Sequence, residues 1–122
     1  RFGDKQLLIT RHYNELTQIR KAEKHVASLR ATYDRVEQHM RSLQNLGEST
    51  EQNLFVTIIM SKFPPSINLE IEKNRTDEIL TPNNLLKALN RLISAQERVF
   101  TNFRSDQTSS KFQSQHYTTE AL

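Results

Sequence analysis

The residues of this chain that could act as acids, bases or metal ligands are its four histidines and its 14 aspartates and glutamates. The histidines stand at positions 12, 25, 39 and 116, and no two have the H-x-x-x-H spacing that places two ligands on one helix face. The absence of cysteine excludes disulfides, thiolate metal sites and thiol nucleophiles. No G-x-S-x-G motif and no glycine-rich phosphate loop occurs. We therefore expect no enzyme, metal, cofactor or small-molecule substrate.

Attraction to phosphate is a second kind of chemistry, and the basic first half of the chain favours it. The formal net charge is +3, and residues 1–46 carry nine lysines and arginines against five acids. The candidate nucleic-acid contacts are the basic side chains Lys5, Arg11, Arg20, Lys21, Lys24 and Arg30. Because acids alternate with these bases, where a dedicated nucleic-acid binder shows a denser stripe, a solvated helix surface is the alternative interpretation.

The third notable group of residues is apolar and indicates contact with another protein. It lies in the segment of residues 54–60 and comprises Leu54, Phe55, Val56, Ile58, Ile59 and Met60. A helix that is apolar on nearly every side is either wholly buried or covers its second face with a partner, and full burial is hard to arrange in a small domain. We predict a self-association seam formed by Asn53, Val56, Thr57 and Met60. Ordinary burial within the chain is the alternative.

The elements that must position these residues are helices. The chain has only two glycines and three prolines, which disfavours turn-rich β architectures. Hydrophobic periodicity predicts five helices, over about residues 4–19, 22–46, 50–62, 67–73 and 83–103. In the fourth segment Ile67, Leu69 and Ile71 also fit a strand, but no second strand is available to pair with it. We therefore predict an all-α fold, a small bundle of four to five helices.

Local signals indicate where these helices begin and end. Asp4 is a candidate N-cap of the first helix, and Gly47 is the expected left-handed residue after the second. Ser49 and Gln52 have the spacing of a capping box in front of the third helix. Thr81-Pro82 combines an N-cap residue with proline at the first helical position, which predicts the start of the last helix.

The second helix has the most regular pattern of all. Its apolar residues, spaced alternately three and four apart, are Val26, Leu29, Tyr33, Val36, Met40 and Leu43. This stripe predicts a face directed at the core of the domain, and a three-heptad coiled coil is the alternative.

The chain as a whole is predicted to be one domain, over residues 1–103, followed by a flexible tail or linker. Residues 104–122 are polar and lack periodicity, which is typical of segments that cannot bury enough apolar surface to order. No stretch approaches the roughly 20 apolar residues of a membrane span, so we expect no membrane contact and an intracellular compartment. The start at Arg1 without methionine leads us to expect a piece of a longer protein.

One run of residues resembles a known family. It comprises Leu29-Arg30, Tyr33-Asp34, Val36-Glu37, His39, Arg41-Ser42-Leu43 and Leu46-Gly47. It continues into Leu54-Phe55-Val56, Ile58-Ile59-Met60-Ser61-Lys62-Phe63-Pro64 and Ile67-x-Leu69-Glu70, after an opening Arg1-Phe2-Gly3. Over about residues 1–100 the chain resembles the Gag-type segment of Pao/BEL retrotransposon polyproteins.

This resemblance implies an all-helical module like the C-terminal half of a retroviral capsid protein. Such modules are not enzymes; they form homodimers and higher assemblies in cytoplasmic particles that package the element's RNA. In related capsids the helix that ends in an apolar–proline step often forms the two-fold contact, which here is the third helix. Gln18 and Glu23 are one step too far apart for the retroviral major homology region, so no residues of that motif are carried over.

Two other functions stay open beside this one. The first is a basic helical nucleic-acid-binding module, with RNA bound through the basic residues above or through other parts of the parent polyprotein. The second is a host-domesticated helical domain for protein–protein interaction, which would have the same sequence pattern.

Overall fold

The computed structural model describes the backbone of residues 2–76 and 79–121 and the side chains of residues 3–76 and 79–101. Five helices follow one another: α1 (Phe2–Gln18), α2 (Val26–Asn45), α3 (Asn53–Ser61), α4 (Pro65–Lys73) and α5 (Pro82–Ala121). Within these ranges there is no strand, so the predicted all-α fold is confirmed and the strand alternative for residues 67–73 is wrong. The tail predicted at residues 104–122 lies outside the described side chains, and its flexibility stays a prediction.

The last helix is the element on which the bundle is built. α2, α3 and α4 each pack on α5, whereas α1 packs chiefly on α2. Leu85, Leu89 and Ile93, spaced four residues apart along one face of α5, are completely buried. None of the described helices is long and apolar enough to cross a membrane.

The apolar stripe of α2 faces the core of its own chain. Leu29, Val36, Met40 and Leu43 are buried in it, and the stripe's two other members are partly buried against the same cluster. The periodicity therefore indicated core packing correctly, and the stripe is not left open as a coiled-coil seam.

Three helix starts show where local signals were right and where they were not. α1 begins at Phe2, so Asp4 lies inside its first turn and does not act as N-cap. There its carboxylate interacts favourably with the positive end of the helix dipole. Pro64-Pro65 starts α4, with the second proline at the first helical position. The backbone N–H of Asn84 donates to Thr81 Oγ1 (3.2 Å), which confirms the predicted cap of α5.

The ends of α2 follow two different rules. The helix begins at Val26, four residues later than predicted, because His25 is its N-cap and accepts at Nδ1 from the backbone N–H of Ser28 (3.3 Å). At the other end Gly47 has φ of +89°, and its N–H and that of Glu48 donate to carbonyls in the last turn. This is a Schellman termination, as the glycine predicted.

The capping box predicted for α3 does not form. The helix begins at Asn53, and its N-cap Gln52 makes no side-chain capping bond. Thr50 is buried, and its hydroxyl accepts from the Gln44 side-chain amide (2.8 Å). α3 has nine residues and is shorter than its sequence signals predict, and Thr50 lies before its start.

We expect Gly47→Ala to lower the free energy of unfolding by about 1–2 kcal/mol, because an L-residue is strained at this φ. An added Cβ would lie 3.6 Å from Lys5 Nζ, an ordinary contact, so the cost is one of backbone conformation. Gly3→Ala is the matched control: it lies in α1 with nothing within 4 Å of the new Cβ, and should leave stability unchanged or slightly raised. Urea unfolding followed by circular dichroism measures both; equal losses would contradict the assignment.

Candidate functional site

α3 has one side in the core and one side open to solvent. Phe55 and Ile59 are buried, and Thr57, on the opposite side of a helix with 3.6 residues per turn, is exposed. The nine residues of α3 include no charged side chain. An uncharged open face is unusual on a protein surface and typical of the centre of an interface, where charged residues are depleted.

The four residues predicted as the seam lie on this open side. Asn53 and Thr57 are exposed, while Val56 and Met60 are partly buried and pack against the core at its edge. Their role as a self-association seam stays a prediction. Their apolar members, however, are less available than the sequence suggests, because the core already covers part of each.

Leu54 is the apolar residue of this surface that the sequence analysis left out of the seam. It is 64% exposed and lies on the flank of Thr57 opposite Val56 and Met60. A helical wheel centred on Phe55 and Ile59 would have found it, since Leu54 falls outside the buried arc. We call the surface formed by Asn53, Leu54, Val56, Thr57 and Met60 the α3 face.

The bend after α3 holds this face in a fixed orientation. The Asn68 side-chain amide donates to the backbone carbonyl of Met60 (2.9 Å) and lies 3.4 Å from that of Phe63. Because Met60 lies in the last turn of α3 and Asn68 lies in α4, this hydrogen bond joins the two short helices in addition to the connection of residues 62–64.

A second candidate surface is a cleft of about 400 Å³ between α2 and the link of residues 19–25 that precedes it. Its basic lining residues are Arg20 and Lys21 from the link and Arg35 from α2; Glu23 is its acidic one. None of the three basic side chains forms an ion pair with another described residue. Arg20 and Lys21 are among the predicted nucleic-acid contacts, and Arg35 is not.

Lys62 holds the wall of this cleft in place. It is buried, and its Nζ donates to the carbonyl of Thr17 (2.6 Å) in the last turn of α1, while its own carbonyl accepts from Ala22 N–H (2.8 Å). The link is thus fixed on both sides of Arg20 and Lys21. Burial lowers the pKa of Lys62, and the positive charge of Lys21 lowers it further.

The other predicted nucleic-acid contacts lie elsewhere or are already engaged. Lys5 and Arg11 are exposed on α1, whose rise of about 1.5 Å per residue separates Lys5 from the link by about 20 Å. Lys24 is exposed in the link. Arg30 instead joins α2 to α5, donating from Nε and Nη2 to the two carboxylate oxygens of Glu97 (3.0 and 2.9 Å).

Arg30 has a structural role. It also donates to Asn90 Oδ1 (3.0 Å) and Ser94 Oγ (3.1 Å), and its guanidinium lies 5.4 Å from the ring centroid of Tyr33. Its hydrogen bond to Glu97 raises the pKa of Arg30 and lowers that of the carboxylate. With its donors used inside the chain, Arg30 is not free to bind phosphate, and we exclude it from the cleft.

Comparison with known proteins identifies the family of the chain. A family model described as "Protein of unknown function (DUF1759)" matches residues 1–79. The chain belongs to this family. It is a domain found in retrotransposon polyproteins, which confirms the resemblance at that level. The matched span contains α1–α4 and ends before α5. No curated protein and no solved structure matches the chain.

The described part of the chain has no group of three or more histidine, aspartate or glutamate side chains that could hold a metal ion. The two candidate surfaces described above are an uncharged face and a basic cleft. Both are suited to binding macromolecules, through apolar contact in the first and phosphate contact in the second.

We expect the Arg30–Glu97 pair to show a larger coupling free energy than an exposed pair on one helix. Arg41 and Glu37 of α2 are the matched control, an i,i+4 pair for which about 0.3–0.5 kcal/mol is typical. Two double-mutant cycles, with arginine and glutamate each changed to glutamine, measure both by urea unfolding. Equal couplings would mean that Arg30 does not hold α2 to α5.

Proposed function

We propose that this domain is a non-enzymatic, capsid-type (Gag) structural module of a Pao/BEL-like retrotransposon polyprotein, which self-associates through the α3 face. The observation that carries the proposal is that face: an uncharged helix surface with Leu54 largely exposed. Membership of a family found in retrotransposon polyproteins supports the setting. A retrotransposon-derived host protein that assembles in the same way belongs to the same proposal, and the particle would be cytoplasmic.

The size of the α3 face limits how tight the contact can be. Nine helical residues span about 14 Å, whereas a stable interface buries about 800 Å² on each partner. Burial of apolar area contributes about 25 cal/mol per Å², from which the cost of association must be subtracted. A two-fold contact centred on α3 is therefore weak by itself. Weak contacts suit a shell, because errors in assembly can then be reversed.

Thr57→Arg is the sharpest test of the α3 face. The side chain is exposed at its centre, so the variant should fold normally, while in a two-fold contact it would bring two charges together without partners. We expect the dissociation constant of the homodimer to rise at least tenfold, measured by sedimentation equilibrium. Thr10→Arg, the same change at an exposed position of α1, is the matched control and should leave the dimer intact.

The double change Val56→Asp and Met60→Asp is a poorer test than the sequence suggests, because both side chains pack partly against the core and charging them would also destabilise the fold. If Thr57→Arg sediments like the unchanged chain over the whole concentration range, the α3 face is not the seam. A chain that is monomeric at every concentration would contradict self-association itself.

The basic cleft favours a second candidate function, binding of RNA through its phosphates. Three basic side chains that are unpaired within the described residues converge on one cavity against a single acidic residue. Such contacts carry little sequence information and are weakened by salt. In a particle that packages RNA, this cleft would add to the contacts made elsewhere in the polyprotein.

We expect Arg20→Gln together with Lys21→Gln to weaken binding of a labelled single-stranded RNA and to reduce the slope of log affinity against log salt by about 1.4, since each phosphate contact contributes about 0.7. Fluorescence anisotropy between 25 and about 200 mM salt measures both. Lys73→Gln with Lys87→Gln removes the same charge from exposed sites on α4 and α5 and is the control. An equal loss of RNA affinity in the two variants, or no RNA binding by the unchanged chain at low salt, would contradict this function.

A further inference from the structure

Two histidines that are 27 residues apart in the sequence meet where α1 packs on α2. His12 of α1 and His39 of α2 are both partly buried, and their Nδ1 atoms are 3.1 Å apart. The ring centroids are 5.3 Å apart, with the planes inclined by 57°. The distance and alignment are those of a hydrogen bond between the two rings.

This contact restricts how many protons the two rings can hold. A hydrogen bond between two Nδ1 atoms needs a hydrogen on one and a lone pair on the other. Two neutral rings satisfy this requirement, and so does one neutral ring with one imidazolium. Two imidazolium rings do not, because both Nδ1 atoms then carry hydrogen and two positive charges face each other. The docked helices therefore exclude the doubly protonated pair.

The surroundings of His39 act mostly in the same direction. Burial lowers its pKa most, and the charges of His12 and of Arg35, on its own helix, lower it further. Glu15 of α1 raises it but does not reverse the net effect. Two imidazoles fall short of the three or four protein ligands of a resident zinc site, and no third ligand joins them among the described residues.

We propose that the His12–His39 contact is a proton-sensitive clasp that holds α1 on α2 at neutral pH and releases it in acid. Once undocked, both rings are in water and each can take up a proton at about pH 6.5, the ordinary value for histidine. The undocked form then binds more protons than the docked form, so docking is strongest above about pH 6.5 and weakens as the pH falls below it.

The clasp lies at the main contact that α1 makes with the rest of the bundle. α1 packs chiefly on α2, whereas α2, α3 and α4 all pack on α5. Among the described residues, the other side-chain hydrogen bonds between α1 and the rest of the chain are that from Tyr13 Oη to Glu48 (2.8 Å) and that from Lys62 to the carbonyl of Thr17. Neither includes a histidine. Loss of the clasp would therefore weaken α1 selectively, independently of whether the domain assembles through α3.

The test is amide hydrogen exchange of the full chain at several pH values, with rates expressed as protection factors. We expect the protection of α1 to fall about fivefold between pH 6.5 and 5.5, because the undocked form binds up to one additional proton over this range, while α5 between residues 85 and 93 changes less. His12→Gln with His39→Gln should abolish the extra loss in α1.

His25→Asn is the matched control. It removes the N-cap histidine of α2, which lies outside the pair, and asparagine retains an N-cap acceptor for Ser28. The wild-type response should persist in this variant. In His12→Gln alone, NMR titration should show the pKa of His39 rising, because a nearby positive charge has been removed. Retention of the α1 response in the double variant, its loss in His25→Asn, or an unchanged His39 titration would each overturn the clasp.

Discussion

The fold depends on the removal of one apolar face of α5 from water. Leu85, Leu89 and Ile93 are completely buried, and burial of each such side chain is worth about 1.5–3 kcal/mol. α2, α3 and α4 pack on this helix, and each directs its own apolar residues inward to do so. The family match ends at residue 79, so the helix that completes the core lies beyond the matched span. This packing also determines which helix surfaces stay exposed to solvent, including the α3 face.

Charged residues serve two separate purposes in this domain. Arg30 and Lys62 are used inside the chain, where they join α2 to α5 and fix the link to the end of α1. Arg20, Lys21 and Arg35 surround a cleft without ion-pair partners among the described residues. A net charge cannot distinguish these uses. The distinction arises because Arg30 and Arg35, five residues apart on α2, project from different sides of the helix.

The cleft and the histidine clasp are electrostatically linked through α2. Arg35 lines the cleft, and its positive charge lowers the pKa of His39 one turn further along the helix. The α3 face differs from both in its chemistry, because α3 carries no charged side chain. Contacts through the cleft and the clasp depend on charge, whereas contacts through the α3 face depend on apolar burial.

Local chemistry alone specified the five helices, the core stripe of α2, the glycine termination at Gly47 and the cap at Thr81, because periodicity, φ preference and capping act over a few residues. The tertiary structure decided the rest. α3 begins later than predicted, Arg30 pairs with Glu97, which is 67 residues away, and His12 contacts His39, which is 27 residues away. The partners of Arg30 and His12 are distant in sequence and adjacent only after packing, so no local pattern could predict them.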